Sequence, residues 1–377
     1  MFSRPIKHTD LVCLPTEVLQ DILAWLNPCT VLTLRRLCHR IASLLLDRHF
    51  QNLNLSRHVT TKTEQTSTRV TQFDKAWFHW PKHYQSIYPT LAYTRPKFEN
   101  LCWVNQALTG GIPAAVSLLK NLVYLDLRSN QLNGPIPREI GSLKALKFLL
   151  LSANNLTGTI PVELGHLSNL QELDLRSNQL SGSIPTEIGG LMSLSLLFLD
   201  SNRLVGAIPE SMGLLKRLVT FGASKNRLSG AIPEALGGLK LLNNLDLSQN
   251  ALECIPESVG ELGNLICLYL QQNRIRGEIP ASLGQARNLK FVFLNENLLE
   301  GCVPEGLGAL VNLVCLDVSD NCLEGELPAD LGLIPRLGVL SFQGNAALSK
   351  VLPKEVEELI HGKHIYLITP PHMKAGC

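Results

Sequence analysis

"LVYLDLRSNQLNGPIPREIGSLKAL", residues 122–146, is followed by "LKFLLLSANNLTGTIPVELGHLSNL" (146–170) and "LQELDLRSNQLSGSIPTEIGGLMSL" (170–194). Aligned, the three stretches keep leucine, asparagine, glycine and Ile-Pro in the same columns. The frame carries Asn130, Asn154, Asn178, Asn202, Asn226 and Asn250 at steps of 24, Asn273 after 23, then Asn297, Asn321 and Asn345 again at 24. Gln106 holds the same place one unit earlier, in "FENLCWVNQALTGGIP". About eleven units result. A fixed period of this length means a stacked array, so the usual division of length into globular domains does not apply.

Each column has a physical reason. The leucines of LxxLxLxxNxL point inward and stack from unit to unit, because one unit cannot bury its own apolar face. The asparagine amide offers two donors and an acceptor, enough to bond the backbone where the chain turns inside the coil. In GxIP the glycine serves the turn, the isoleucine points inward and the proline ends the strand ladder. "LGxLxxL" then closes the loop with a short helical or irregular segment. One unit, "NALECIPE" (250–257), lacks the glycine and is a residue short, which predicts a local kink near Cys254.

Residues 98–348 resemble the plant-type leucine-rich repeats of many receptor ectodomains and related proteins. The resemblance implies an α/β solenoid, a right-handed leucine-rich-repeat superhelix with one short strand per turn. Those ectodomains are secreted and carry paired cysteines at the first rung. Here "LCWVN" holds Cys102 without a close partner.

The ten cysteines include no CxxC, and "MFSRPIKHTDLVCLP" has no apolar signal core. Free thiols in a reducing compartment are therefore expected, in the cytoplasm or nucleus. The longest apolar runs, "ILAWL" and "SLLLD", are too short to span a bilayer. "NLS" at Asn54 and "NLT" at Asn155 fit the glycosylation sequon, which is without meaning in a cytosolic chain. Net charge is only +2, so no global field points to nucleic acid or an anionic membrane. Residues 1–100 carry thirteen Lys and Arg against seven Asp and Glu, a net of +6, and the remainder is −4. A solvated basic region explains that asymmetry without a special partner.

At the N-terminus, "TEVLQDILAWL" on a helix gathers Val18, Leu19, Ile22, Leu23, Trp25 and Leu26 into an arc of roughly 160°. Pro15 and Thr16 start it, and Asn27-Pro28 ends it. "VLTLRRLCHRIASLLL" follows, apolar around most of its circumference. So short a segment cannot bury this surface within itself. Either another protein or the open first rung of the solenoid must cover it. "LPTEVLQDILAWLNPCTVLTLRRLCHRI" (14–41) resembles an F-box, with LPxE, the Ile-Leu pair, a hydrophobic residue before xP and a basic LRRLCxR segment. Ile41 departs from the aromatic residue frequent at the end of that motif. The resemblance implies docking onto the Skp-type adaptor of a cullin ubiquitin ligase through Leu14, Pro15, Val18, Ile22, Leu23, Leu26 and Pro28.

The expected organisation is a tail (1–13), an F-box-like all-α segment (14–50), a linker and N-terminal cap (51–97), the solenoid (98–348) and a C-terminal cap and tail (349–377). "SRHVTTKTEQTSTRVTQ" is polar and reads as flexible. In "FDKAWFHWPKHYQSIY", Trp77, Phe78, Trp80 and Tyr84 are expected to pack over the first rung, since terminal repeats need covering. "PKEVEELIHGKHIYLI" is expected to close the last rung with a short helix and strand.

Side chains alternate along a strand, so the residues between the strand leucines line the concave side. The candidate partner-binding residues there are Tyr124, Asp126, Arg128, Phe148, Asp174, Arg176, Phe198, Asp246, Tyr269, Phe291, Phe293 and Asp317. With rungs about 4.8 Å apart, Tyr269, Phe291 and Phe293 form one patch, and clustered exposed aromatics mark binding surfaces. Cys267 and Cys315, about 10 Å apart across two rungs, are too distant for a disulfide. GxSxG, P-loop, GxGxxG and HExxH motifs are all missing from the sequence, so neither catalysis nor a cofactor is expected. His79 with His83, and His361 with His364, have helix-compatible spacing but no carboxylate or cysteine organised around them, and no metal site is expected.

These observations point to a non-enzymatic adaptor: the F-box would hold a Skp-type adaptor and cullin core, and the concave sheet a target protein. Two alternatives stay open. One is a leucine-rich-repeat scaffold whose N-terminal helices only cap the coil; the other is a receptor-like module.

Overall fold

The computed structural model describes residues 16, 20, 23–24, 26–33, 47–58, 70–80, 82–93 and 98–362. Its body is the solenoid. Eleven three-residue strands, from Asn100–Cys102 to Val339–Ser341, form one parallel sheet in strict chain order. Registers advance by one unit per strand, as in Tyr124↔Phe148 and Phe148↔Glu172. On the opposite side the first ten units each carry a five-residue 3-10 helix, from Ala114–Leu118 to Ala329–Leu333. Between the two layers the column leucines, such as Leu125, Leu149, Leu173 and Leu197, are fully buried.

The repeated asparagines do more than close a turn. Asn154 Nδ2 donates to the Leu151 and Ser152 carbonyls of its own unit and, at 2.9 Å, to Leu127 O of the preceding one. Its Oδ1 accepts the Leu132 amide at 3.0 Å, also from the preceding unit. The same four bonds recur at Asn178 and along the coil. Each amide thus ties two rungs together, with both its nitrogen and its oxygen engaged inside a core where an unmade bond costs about 1–3 kcal/mol.

The residue before each asparagine is in the left-handed region, from Ser129 (φ 56°) through Gln249 (φ 55°) to Asp320 (φ 52°). Before Asn345 the residue is Gly344 (φ 81°), but at the earlier units it is not glycine, so there the sequence gives no sign of the conformation. The GxIP glycines also have positive φ, and short outer ladders run alongside them in blocks of two to four strands. Where Cys254 stands without that glycine, the pairing slips: Gly230 faces Leu252, but Ala231 faces Cys254. The missing residue is absorbed as one bulge between neighbouring outer strands. In the 3-10 layer, Gly141 lies so close to the Glu163 carbonyl that an added Cβ would collide with it.

Helices α1 (Pro28–Thr33), α2 (Arg48–His58), α3 (Gln72–Trp77) and α4 (Lys82–Ala92) precede the coil, and α5 (Lys354–Gly362) follows it. Thr71 and Asp74 form a capping box at the start of α3. Buried Asp74 also accepts the hydroxyls of Tyr88 and Tyr93, each at 2.7 Å, which locks α3 to α4. Trp77 and Phe78 pack edge-on against Trp103 of the first rung, at centroid distances of 6.4 and 6.0 Å. Trp80 and Tyr84 stand behind them, Trp80 at 5.4 Å from Tyr88. The aromatic segment therefore covers the open end of the apolar stack.

Helix α2 runs across the 50/51 boundary, so the first helical segment and the cap are not separate there. The polar stretch starting at Ser56 opens inside α2 and closes on the Thr71 cap, while residues 59–69 lie outside the described residues. At the far end α5 is present, with Val356 and Leu359 buried against the last unit. The strand expected after it lies outside the described residues.

Candidate functional site

Two surfaces were expected to bind. On the first, Leu14, Pro15, Val18 and Ile22 lie outside the described residues. Leu23 is 4% exposed and Ala24 and Val31 are fully buried, in a core continuous with Phe50 and Leu55 of α2 and with the aromatic cap. The Leu23 side chain is thus used within the chain. Pro28 is buried as the first residue of α1. Leu26 stays 38% exposed and can be touched from outside. Asn54 explains the arrangement. Fully buried on α2, it donates to the carbonyls of Leu23, Ala24 and Leu26, the last at 2.9 Å, and so closes the helical residues that carry them. Its sequon is therefore shut away. Sequence reasoning missed this role, which rests on a contact across some thirty residues.

The second surface is the concave sheet. In register along one row run Asp126, Leu150, Asp174, Phe198, Gly222, Asp246, Tyr269, Phe293, Asp317 and Ser341. Asp126 and Asp174 are buried, each gripping the arginine two residues on. Arg128 bonds both Asp126 oxygens, at 2.9 and 2.7 Å, and Arg176 bonds both of Asp174, at 3.0 Å each. Tyr124 and Ser152 add hydroxyls to these carboxylates. Arg128 and Arg176 are the exposed members of these pairs. Asp126 and Asp174 thus set the arginines in place. Asp317 is also buried, accepting the amide and hydroxyl of Ser319 on Oδ1.

Several concave-face aromatics pair across neighbouring rungs. Tyr269 stacks on Phe293 at 5.4 Å and 24°, with Phe291 in the neighbouring row opposite Cys267. Tyr124 meets Phe148 at 5.4 Å, and the Arg176 guanidinium lies over Phe198. Burial, with help from Cys267, pushes the Tyr269 hydroxyl up to about 12, and burial pushes the Cys315 thiol up to about 11. Cys102, Cys254, Cys267, Cys302, Cys315 and Cys322 are unpaired. Among the described residues no group of three or more His, Cys, Asp or Glu is placed to hold a metal, and no helix is long and apolar enough to cross a membrane.

Sequence reasoning overlooked the middle of the face. Gly222 leaves a gap in the row, and the Asp200 carboxylate leans over it, about where a Cβ would sit. Ser224 holds Asp200 Oδ1 through its amide and hydroxyl, both at 2.9 Å. Burial, reinforced by the charge of Asp246, raises the Asp200 carboxyl above its ordinary range. The column two residues before each asparagine carries this signal.

Comparison with known proteins agrees with both modules. The F-box domain family matches residues 11–52, and the Leucine Rich Repeat family matches 121–143, 145–167, 169–191, 264–286 and 312–333. No curated protein gives a significant match. Among solved structures, a Leptospira interrogans leucine-rich-repeat protein is 31% identical, with TM-score 0.55, over 74% of this chain and 72% of its own. A plant ice-binding protein is 32% identical, with TM-score 0.56, over 66% and 80%. The ectodomain of the Arabidopsis thaliana receptor kinase GASSHO1/SCHENGEN3, solved with CASPARIAN STRIP INTEGRITY FACTOR 2, is 35% identical with TM-score 0.69, over 81% of this chain. This chain spans 36% of that ectodomain, and 50% of a TDR receptor that it also matches. F-box and leucine-rich-repeat domains are typically interaction modules without catalytic chemistry of their own. The chain belongs to the leucine-rich-repeat proteins and carries an F-box domain ahead of its repeats.

Proposed function

We propose that this protein is the substrate-recognition subunit of a Skp-cullin-F-box-type ubiquitin ligase. The observation that carries the reading is an F-box domain at residues 11–52 joined through a packed cap to an eleven-stranded concave sheet. The F-box holds the Skp-type adaptor and, through it, the cullin core. The concave face holds the protein to be ubiquitinated. Bond making belongs to the partner complex, and this chain contributes proximity and orientation. It works where that ligase works, in cytoplasm or nucleus.

The test is co-purification with a Skp-type adaptor. Leu26→Asp places a charge on an exposed apolar contact and is expected to abolish co-purification while leaving the repeats folded. Retained co-purification overturns the ligase role.

A second reading, a scaffold whose N-terminal helices only cap the coil, draws support from the burial of Leu23, Ala24 and Val31 in the core shared with the cap. Under it, removing residues 1–33 lowers the melting temperature of the repeats and no Skp-type adaptor binds the intact chain.

A further inference from the structure

We propose that the concave face selects a target segment bearing an arginine, whose guanidinium lies over the Tyr269–Phe293 ring pair against Asp246. This rests on the concave sheet being the target-binding face. The chain contains its own pattern for such a contact. Asp174 is in register with Phe198, and Arg176, two residues after Asp174, bonds that carboxylate with its guanidinium carbon 4.1 Å from the Phe198 ring centroid. Arginine suits this place because its flat cation stacks on a ring while its N–H fork meets a carboxylate.

Asp246 is in register with Tyr269 in the same way, but the residue two positions on is Ser248. The wall is repeated and its cation is missing. Ser248 donates its amide and hydroxyl to Oδ1 of Asp246, which leaves the second carboxylate oxygen unengaged by them. Tyr269 stacks on Phe293, and Phe293 is in register with Asp317, so the ring pair is flanked by two carboxylates. Among the described residues neither Asp246 nor Asp317 forms an ion pair. In these two columns, from Gly222 and Ser224 to Asp317 and Ser319, there is no lysine or arginine. Beside this slot, Gln271 Oε1, one rung beyond Ser248, is buried without a hydrogen-bond partner. A guanidinium brings five N–H donors.

The experiment uses the full chain and three fluorescent pools of random decapeptides that differ only in a fixed central residue: arginine, lysine or glutamine. Anisotropy titration is expected to show the arginine pool binding about tenfold tighter than the glutamine pool, the scale of a partly desolvated cation–π contact. Ser248→Arg places the chain's own guanidinium in the slot, as Arg176 does at Asp174, and is expected to erase the arginine preference with an unchanged melting curve. Tyr269→Ala is expected to erase it as well. Equal binding of the lysine pool overturns stacking in favour of a point charge. If all pools bind alike and Tyr269→Ala weakens them equally, arginine selection is overturned while the target-binding face stands. If no pool binds, or neither variant changes binding, both fall.

Discussion

Asn54 Nδ2 lies 2.9 Å from the carbonyl oxygen of Leu26, and the same amide reaches the carbonyls of Leu23 and Ala24. Through this contact α2 fixes the described F-box residues against the cap, and the cap's Trp77 and Phe78 meet Trp103 of the first rung. The described F-box residues, the cap and the first rung are therefore mechanically connected.

Asn54→Ala removes the donor from three buried carbonyl contacts. A buried acceptor left unsatisfied costs about 1–3 kcal/mol. Hydrogen exchange is expected to quicken at residues 26–33 and 47–58 and to stay unchanged in the repeats beyond residue 150. Protection as strong as in the parent chain would show that Asn54 does not hold the module. Leu23→Asp, by contrast with Leu26→Asp, is expected to unfold this segment, because it buries an unpaired charge.

Gln249 is exposed, yet its φ of 55° is unfavourable for a branched side chain. Gln249→Val is expected to lower stability by about 1–2 kcal/mol, where an ordinary surface change stays within about 0.5. Urea denaturation of Gln249→Val beside the exposed control Glu253→Val measures the difference, and equal midpoints would contradict the strain.

Burial, together with the Asp246 charge, raises the Asp200 carboxyl from its ordinary value of 3.8. The folded state thus holds the proton more tightly than the unfolded chain, and ionised Asp200 lowers stability at neutral pH. That penalty fades as pH falls through the raised value and is gone below about 3.8. Asp200→Asn keeps an acceptor for Ser224 and is expected to raise the urea midpoint at pH 7, with the gain shrinking toward pH 4. A gain independent of pH would point to a cause other than charge.

How much was legible beforehand differs between the two surfaces. The concave aromatics could be placed from spacing alone, because strand alternation and a fixed repeat bring Tyr269 beside Phe293 without further information. The cation-free columns around Asp246 were equally visible as letters. Their meaning lies in the tertiary structure, since Arg176 and Ser248 occupy equivalent places and only geometry shows what the first does that the second cannot.

By itself, the sequence determined the coil: leucine columns, the asparagine step and the GxIP turn act between adjacent units, so local order and period suffice to specify the stack. It also marked the F-box by a local motif. Only the tertiary structure decided that Leu23 is spent inside the chain while Leu26 remains outside, that Asp126 and Asp174 hold arginines, and that Asn54 bonds backbone some thirty residues away. Those outcomes depend on which distant groups compete for the same buried space and the same donors, and no repeat period encodes that competition.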